Sequence, residues 1–211
     1  MAAIEVKNVS FRYAHGPWVL KDVSLSIETG ERVALVGPSG YGKSTLAKII
    51  AGYLTPAAGE VLWQGQPLPQ QGYCPVQLVY QHPEKALNPR WKMKRTLEES
   101  GMPEPRLLRE MGIKPEWLSR WPNELSGGEL QRFCVVRALG GRTRFLIADE
   151  MSTMLDALNQ AHIWRFLLRH AAETGMGIIS ITHNLYLAEQ VATRIIEVPA
   201  INHIQVQTED L

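Results

Sequence analysis

The stretch Gly37-Pro38-Ser39-Gly40-Tyr41-Gly42-Lys43-Ser44-Thr45 decides the fold of this chain, because it fits the phosphate-binding pattern G-x-x-x-x-G-K-[ST]. An apolar run of strand length, residues 33–36, comes immediately before it. Leu46, Ile49 and Ile50 follow it at helical spacing. Strand, glycine loop and helix form the context that the pattern requires. A glycine-rich turn with a chance lysine would not need that context, so we predict a phosphate site in an α/β fold.

The chemistry of this loop follows from its residue types. Glycines let the backbone wrap closely around a phosphate, and the helix that starts here adds the positive end of its dipole. Lys43 is expected to reach the outer phosphates, and Ser44 to offer its hydroxyl to Mg²⁺. Tyr41 is bulky for its position, and it either covers the nucleotide or points to solvent.

The composition bounds the class of protein. The 211 residues are enough for one α/β domain with a small insert, and 45% hydrophobic with 20% charged residues is a globular balance. A net charge of +1 argues against nucleic acid as a partner. Cys74 and Cys134 have neither metal-ligand nor disulfide spacing, which fits a reducing compartment. With no signal peptide and no membrane-spanning stretch, we expect a soluble chain that could dock on a membrane protein.

The first part of the chain predicts an antiparallel β unit. Residues 4–9, continued by 10–13, have strand character, and residues 23–27 alternate strictly between apolar and polar types. The chain then turns back into the strand before the phosphate loop. Tyr13 could supply a flat face for adenine, although on spacing alone an ordinary exposed strand aromatic is favoured.

Three strands of the predicted core each end in polar side chains, which are Gln81, the pair Asp149 and Glu150, and His183. Ligands of open α/β sheets bind at the carboxyl ends of the strands. Asp149 can support Mg²⁺, and Glu150, which points to the opposite side, can polarise a water. Gln81 can bind Mg²⁺ or a water, and His183 can hydrogen-bond a terminal phosphate. Each of these features taken singly would be interpreted as structural: a surface glutamine, a solvated strand end and a structural histidine. Their position at one sheet edge favours a functional interpretation.

Residues 82–140 predict a small helical insert between the core segments 1–81 and 141–211, because prolines and charges rise there and β-branched residues fall. The insert ends in Leu125-Ser126-Gly127-Gly128-Glu129. The serine and the glutamate of this stretch have the spacing of a capping box. Two glycines at a helix start also allow an anion to approach closely, and both interpretations can hold together.

The last part of the chain predicts two helices and a strand. A helix follows Asp156 and runs to about His170, and residues 185–191 predict a shorter one. Residues 194–198 predict the last strand, and residues 201–211 a polar tail.

These pieces, in this order, resemble the ATP-binding subunit of ABC transporters over essentially the whole chain. The phosphate loop is shared by many NTPases, so the specific part is the signature at 125–129, just upstream of the strand that carries Asp149 and Glu150. The resemblance implies one ABC-type ATPase domain, residues 1–211, with ATP and Mg²⁺ as cofactors. Its P-loop NTPase core has a mixed sheet, an N-terminal antiparallel β subdomain and a small helical subdomain.

The resemblance also implies a role for each candidate residue on the subunit's own side. Tyr13 is similar to the aromatic residue that stacks on adenine. The Mg²⁺ ligands correspond to Ser44, Gln81 and Asp149, and the glutamine is also the hinge that couples to the membrane subunit. Glu150 is similar to the general base for the attacking water, and His183 to the switch histidine.

Other residues of the family act on a second subunit. Ser126, Gly127, Gly128 and Glu129 correspond to the signature that meets the ATP of the partner, and Asp156 to the aspartate that crosses to it. The resemblance therefore implies a dimer of two ATPases, identical or different, in which each lone subunit holds half of each site.

Leu87-Asn88-Pro89-Arg90-Trp91 is similar to the oligopeptide and nickel branch of importer ATPases. That branch implies uptake of a peptide, nickel or a metal chelate through integral-membrane permease subunits, with a solute-binding protein. It also implies a peripheral position on the cytoplasmic face of the inner membrane. The insert is short for that branch, and the C-terminal extension usual in its peptide members is expected to be absent.

Four residues depart from the family pattern, and none of them removes a catalytic group. Glu129 stands where glutamine is commoner, and Met151 where proline usually follows the glutamate. Asn184 replaces the usual aspartate after the histidine. Met154 replaces a small residue in the crossing loop, which could mark pairing with a different ATPase.

Two other functions fit the sequence less well than transport. A soluble ABC-type ATPase acting on nucleic acid or ribosomes usually carries two ATPase halves or a long coiled-coil insert, and this chain has neither. A regulatory partner that only binds nucleotide would not need the intact Lys43, Asp149, Glu150 and His183.

Overall fold

The computed structural model describes residues 2–69 and 71–204, so the predicted polar tail lies outside the described residues from 205 onward. The strands and α-helices, in chain order, are β1 (Ala2–Arg12), β2 (Trp18–Glu28), β3 (Arg32–Val36), α1 (Lys43–Ile50), β4 (Ala58–Trp63), β5 (Gln66–Pro67), β6 (Val76–Val79), α2 (Pro83–Ala86), α3 (Met93–Glu98), α4 (Pro105–Glu110), α5 (Gly127–Ala138), β7 (Phe145–Asp149), α6 (Ala157–Thr174), β8 (Gly177–Ile181), α7 (Leu185–Val191), β9 (Arg194–Glu197) and α8 (Val198–Ile201). Two 3-10 helices, Pro115–Ser119 and Pro122–Glu124, lie between α4 and α5.

Antiparallel and parallel strand pairing are divided between two sheets. The first sheet has the order β2-β1-β4-β5, and its pairs are antiparallel. The second has the order β6-β7-β8-β3-β9, and its pairs are parallel. The predicted N-terminal antiparallel unit and the parallel core are therefore confirmed.

Strand β7 shows how the parallel sheet is covered on both faces. Its side chains alternate, so Leu146 and Ala148 join a buried cluster with residues of α5 and α6. Phe145 and Ile147 point the other way, into a cluster with α1 and the antiparallel sheet. All five residues of the strand are buried, which explains its continuous apolar sequence.

The parallel order brings the polar strand ends together. Strands β6, β7, β8 and β3 are neighbours, and each leads at its carboxyl end to one of the predicted site segments. Gln81 follows β6, Asp149 and Glu150 end β7, His183 follows β8 and the phosphate loop follows β3. The predicted meeting of these residues at one sheet edge is confirmed.

Three local predictions differ from the structure. The helix predicted near residues 115–118 is a 3-10 helix, a form used in short pieces. Val198 begins α8 instead of ending β9, because Pro199 lacks the N–H that a strand ladder needs and fits a first helical turn. Strand β2 begins at Trp18, five residues before the predicted segment 23–27. The pattern misses the first part of the strand because Asp22, with a φ of 49°, interrupts the alternation.

Within the described ranges, no helix is both long and apolar enough to cross a membrane.

Candidate active site

The phosphate loop passes so close to β2 that Gly42 admits no side chain. Its φ is 80°, and it caps the amino end of α1. A Cβ there would lie 2.7 Å from Leu20 Cδ2 and 2.8 Å from the carbonyl oxygen of Val19. The glycine therefore fixes where the eight-residue helix begins, and with it the backbone N–H groups of its first turn.

Lys43 folds back across the loop it belongs to. Its Nζ donates to the carbonyl oxygens of Gly37, at 2.8 Å, and Pro38, at 2.7 Å. Burial lowers the pKa of Lys43, and the charges of Glu150 and Asp149 oppose that shift. The ammonium is thus held in the loop, where a phosphate oxygen would offer a charge-assisted hydrogen bond.

Ser44 and Asp149 bring two oxygen donors together beside the loop. Ser44 Oγ donates to Asp149 Oδ1 at 2.9 Å. Asp149 is buried, and this burial raises its pKa, while the hydrogen bond from Ser44 lowers it. A buried carboxylate beside a hydroxyl is an oxygen donor set that fits a hard cation such as Mg²⁺.

Glu150 has a backbone conformation that is rare for a residue with a side chain. Its φ is 46°, and its N–H donates to the carbonyl oxygen of Ile181 at 3.1 Å. Its side chain is 23% exposed, and Oε1 lies 3.5 Å from Nδ1 of His183, which is 65% exposed. Such a conformation costs about 1–3 kcal/mol and occurs often at functional sites.

Gln81 contacts a residue that the sequence analysis missed. Its Nε2 donates to Thr153 Oγ1 at 3.1 Å, and Thr153 Oγ1 donates to the carbonyl oxygen of Glu150 at 2.9 Å. Within the described residues no hydrogen bond joins Gln81 to Ser44 or Asp149. The sequence signal for Thr153 is a hydroxyl three residues after Glu150, a spacing at which a turn can close.

Tyr13 and Tyr41 are placed differently around the loop. Tyr13 is 50% exposed, its hydroxyl lies 3.4 Å from Thr45 Oγ1, and its ring meets Phe11 edge to face at 4.9 Å. Its accessible aromatic surface beside the loop is compatible with stacking on a base. Tyr41 is half-buried and packs against the core cluster.

The signature stretch forms the predicted capping box at the start of α5. Ser126 Oγ accepts from the N–H of Glu129 at 3.3 Å, and Oε2 of Glu129 accepts from the N–H of Ser126 at 2.8 Å. A Cβ on Gly127 would meet nothing within 4 Å. No hydrogen bond joins residues 125–129 to the phosphate loop in the part of the chain that the structure describes.

Asp156 caps the amino end of α6. Its carboxylate accepts from the N–H groups of Asn159, at 3.0 Å, and Leu158, at 3.1 Å, and bonds from Asn159 are the main reason that its pKa is lowered. Two apolar side chains beside it are exposed, Met154 at 66% and Leu158 at 85%.

The departures Met151 and Asn184 have simple structural roles. Met151 is buried in the cluster that α5 and α6 share. Asn184 caps α7, where its Oδ1 accepts from the N–H of Leu187 at 3.1 Å, as an aspartate would.

Comparison with known proteins identifies the family. The family model described as ABC transporter matches residues 20–153. The nickel import ATP-binding protein NikE of Shigella sonnei is 34% identical over 92% of this chain and 83% of its own length, and that of Escherichia coli K12 is 33% identical over the same shares. The ATP-binding cassette MJ0796, solved as a dimer in a post-hydrolysis state with ADP and Pi, has a TM-score of 0.78 at 25% identity, over 92% of this chain and 93% of that one. The chain therefore belongs to the ABC transporter family, as an ATP-binding and ATP-hydrolysing subunit.

Proposed function

We propose that this chain powers the import of nickel, free or chelated, by hydrolysing ATP beneath a membrane permease. The nickel import proteins to which it is similar over 92% of its length support the solute. The observation that carries the hydrolysis is the meeting of Lys43, Ser44, Asp149 and Glu150 at one sheet edge.

ATP binding rests on the loop and its surroundings. The N–H groups at the start of α1 and the Lys43 ammonium receive the phosphates, because both present positive charge in a confined site. Tyr13 stacks on the adenine with its exposed ring. Ser44 and Asp149 hold Mg²⁺, which when bound neutralises charge on the phosphate oxygens.

Glu150 accepts the proton of the attacking water, and His183 donates a hydrogen bond to the terminal phosphate. Their side chains lie 3.5 Å apart, and Glu150 is near enough to Lys43 of the loop for its charge to raise the pKa of that lysine. Gln81 donates a hydrogen bond to Thr153, and through this contact its position responds to whether ATP occupies the site. Positioning and charge stabilisation dominate phosphoryl transfer, so assembling these groups is the main catalytic event.

The site is completed by a second ATPase subunit, identical or different. Among the described residues, no hydrogen bond joins the signature Ser126, Gly127, Gly128 and Glu129 to this chain's own phosphate loop. A Cβ on Gly127 would meet nothing within 4 Å, so an anion of the partner could approach the helix start there. The segment that carries Asp156 is flanked by exposed Met154 and Leu158, which a partner surface would cover. Residues 82–140 then move as a helical unit when ATP draws the two subunits together.

The permease docks in a groove of about 550 Å³ on this subunit. Its lining includes Tyr53 and Tyr80, whose rings lie 6.0 Å apart, and the ion pair of Arg137 with Glu99, whose Nη1 and Oε2 lie 3.3 Å apart. Tyr80 is the chain neighbour of Gln81, so occupancy of the groove can be transmitted to the site. Under this proposal the subunit lies on the cytoplasmic face of the inner membrane, and a solute-binding protein delivers the solute on the other side.

Cysteine labelling tests this groove. Cys74 and Cys134 both line it, but burial raises the pKa of both thiols, that of Cys134 to about 12. We expect a maleimide at pH 8 to label the half-buried Cys74 and not the buried Cys134, since only a thiolate reacts. Permease should protect Cys74, and Cys74→Ser should abolish labelling. Equal labelling with and without permease would exclude this groove as the docking site.

Asp149→Asn should stabilise the nucleotide-free protein while stopping hydrolysis. The folded pKa of Asp149 is raised above its ordinary value of 3.8, so the unfolded state releases its proton first as pH rises. Wild-type stability therefore falls between about pH 3.8 and the raised folded pKa and stays lower above it. Removing the buried charge should raise Tm at pH 7.5 by about 2–4 °C for each kcal/mol gained. The difference should shrink as pH approaches 4, and a lower Tm at pH 7.5 would contradict the argument.

The overall proposal is tested by purifying the tagged chain from gently solubilised membranes. Recovery of polytopic permease subunits, followed by ATP-dependent nickel uptake into proteoliposomes made from the complex, is the expected result. Recovery of ribosomes or nucleic acid without a permease would overturn it in favour of a soluble ATPase.

A further inference from the structure

A cluster of cations and two tryptophans, one half-buried and one exposed, lies on the helical part of the chain and has no role in the site described above. It consists of Arg90, Lys92, Lys94 and Arg95 together with Trp91 and Trp121, and is called the basic patch below. The N–H of Met93 donates to the carbonyl oxygen of Arg120 at 3.0 Å, which ties the two chain segments of the patch together. The patch borders an open groove of about 520 Å³.

The charges of the basic patch are largely uncompensated. Among the described residues, Glu98 is the only carboxylate that lines this groove, and it lies 3.9 Å from Lys94, at the limit of an ion pair. Glu124 lines a neighbouring pocket with Arg90 and Trp121, and its carboxylate accepts a hydrogen bond from the N–H of Trp121 at 2.7 Å. Arg90, Lys92 and Arg95 have no carboxylate within ion-pair distance among the residues that the structure describes. A concentration of positive charge on a chain whose net charge is only +1 indicates a local anionic partner.

The tryptophans of the patch are held by the same cations. The Arg95 guanidinium lies 4.4 Å from the Trp91 ring centre, and Lys92 Nζ lies 5.8 Å from that of Trp121. Trp121 is 40% exposed. Tryptophans combined with lysine and arginine are typical of surfaces that lie at the headgroup level of a membrane.

The position of the patch agrees with a membrane partner. Helix α3 carries Lys94 and Arg95 in its first turn, and Glu99, directly after its last residue, lines the groove assigned to the permease. A six-residue helix is about 9 Å long, so the two surfaces are close neighbours. This step rests on the proposed permease docking.

We propose that the basic patch binds the anionic phospholipid headgroups of the cytoplasmic leaflet. Anionic lipid attracts basic surface residues, and each lysine or arginine strengthens partitioning about fivefold. The patch would thereby hold the subunit beside the bilayer and orient its permease groove toward the membrane.

The test is sedimentation of the full chain with vesicles of equal parts phosphatidylglycerol and phosphatidylcholine, compared with phosphatidylcholine alone. The wild type should bind the anionic vesicles in a salt-sensitive way. Replacing Arg90, Lys92 and Arg95 by Gln should weaken that binding on the order of 100-fold.

The matched control replaces Lys7, Arg109 and Arg165 by Gln, which removes the same charge from other exposed sites and should leave binding within a few fold. Equal binding by the two triple variants, or equal binding to neutral vesicles, would overturn the proposal. Tighter, patch-dependent binding to a single-stranded DNA oligonucleotide would overturn it by assigning the patch to nucleic acid. Neither permease nor nickel is in the assay, so its failure would leave the import proposal standing.

Discussion

Glu150→Gln should keep ATP binding and lower the turnover rate by about 10²–10⁴-fold. The amide has the size and the hydrogen-bonding reach of the carboxylate but cannot accept a proton from water. Phosphate binding depends on Lys43 and the loop instead, so affinity should change little. The measurements are phosphate release at saturating ATP and the Kd of a slowly hydrolysed ATP analogue.

The control for this variant is Glu189→Gln on α7, which removes an exposed carboxylate close in sequence to His183. It should hydrolyse ATP at the wild-type rate. Normal turnover by Glu150→Gln would remove the role of general base from Glu150. Loss of ATP affinity together with turnover would show instead that the strained backbone at φ 46° has rearranged.

Gly127→Ala should leave this chain folded and able to bind ATP while reducing hydrolysis by about 100-fold. Nothing lies within 4 Å of the position that the new methyl group would take, so the subunit itself accommodates it. The methyl group would occupy space that the partner's terminal phosphate needs, and a displacement of about 1 Å can cost about 100-fold in rate. Gly141→Ala is the matched control, because its Cβ would also meet nothing within 4 Å.

Mixing the two variants tests whether sites are shared between copies of this chain. In a mixed homodimer, the Glu150→Gln subunit supplies an intact signature to the site whose base is intact on the Gly127→Ala subunit. Partial recovery of hydrolysis is expected for a homodimer. If mixing restores no hydrolysis, but each variant regains hydrolysis when it is combined with a different ATPase subunit, then the physiological pair is heteromeric. Unchanged hydrolysis by Gly127→Ala alone would contradict the role of the signature in the partner's site.

Features that depend on near neighbours in sequence were predictable. The capping box of Ser126 and Glu129 spans three residues, and the loop from Gly37 to Thr45 brings its own strand and helix. The shared sheet edge followed from a general property of parallel strands, which the apolar runs made recognisable.

Contacts between distant segments were not predictable. Gln81 and Thr153 are 72 residues apart, and no local pattern marks their hydrogen bond. The packing of Tyr41 depends on how α8 and β2 lie against the loop, as the hydrogen bond from Asn202 Nδ2 to its carbonyl oxygen illustrates. The left-handed conformation of Glu150 was hidden for the same reason, because only the folded surroundings can maintain it.

The hydrogen-bonded series Gln81, Thr153 and Glu150 has a thermodynamic consequence. It connects the strand end beside the groove proposed for the permease to the backbone of Glu150, the proposed general base. If permease binding changes the affinity for ATP by some factor, ATP must change the affinity for permease by the same factor, because the two binding free energies are linked reciprocally. ATP would then change how tightly the subunit binds its permease. Titrations of ATP with and without permease, and of permease with and without ATP, would give the same factor.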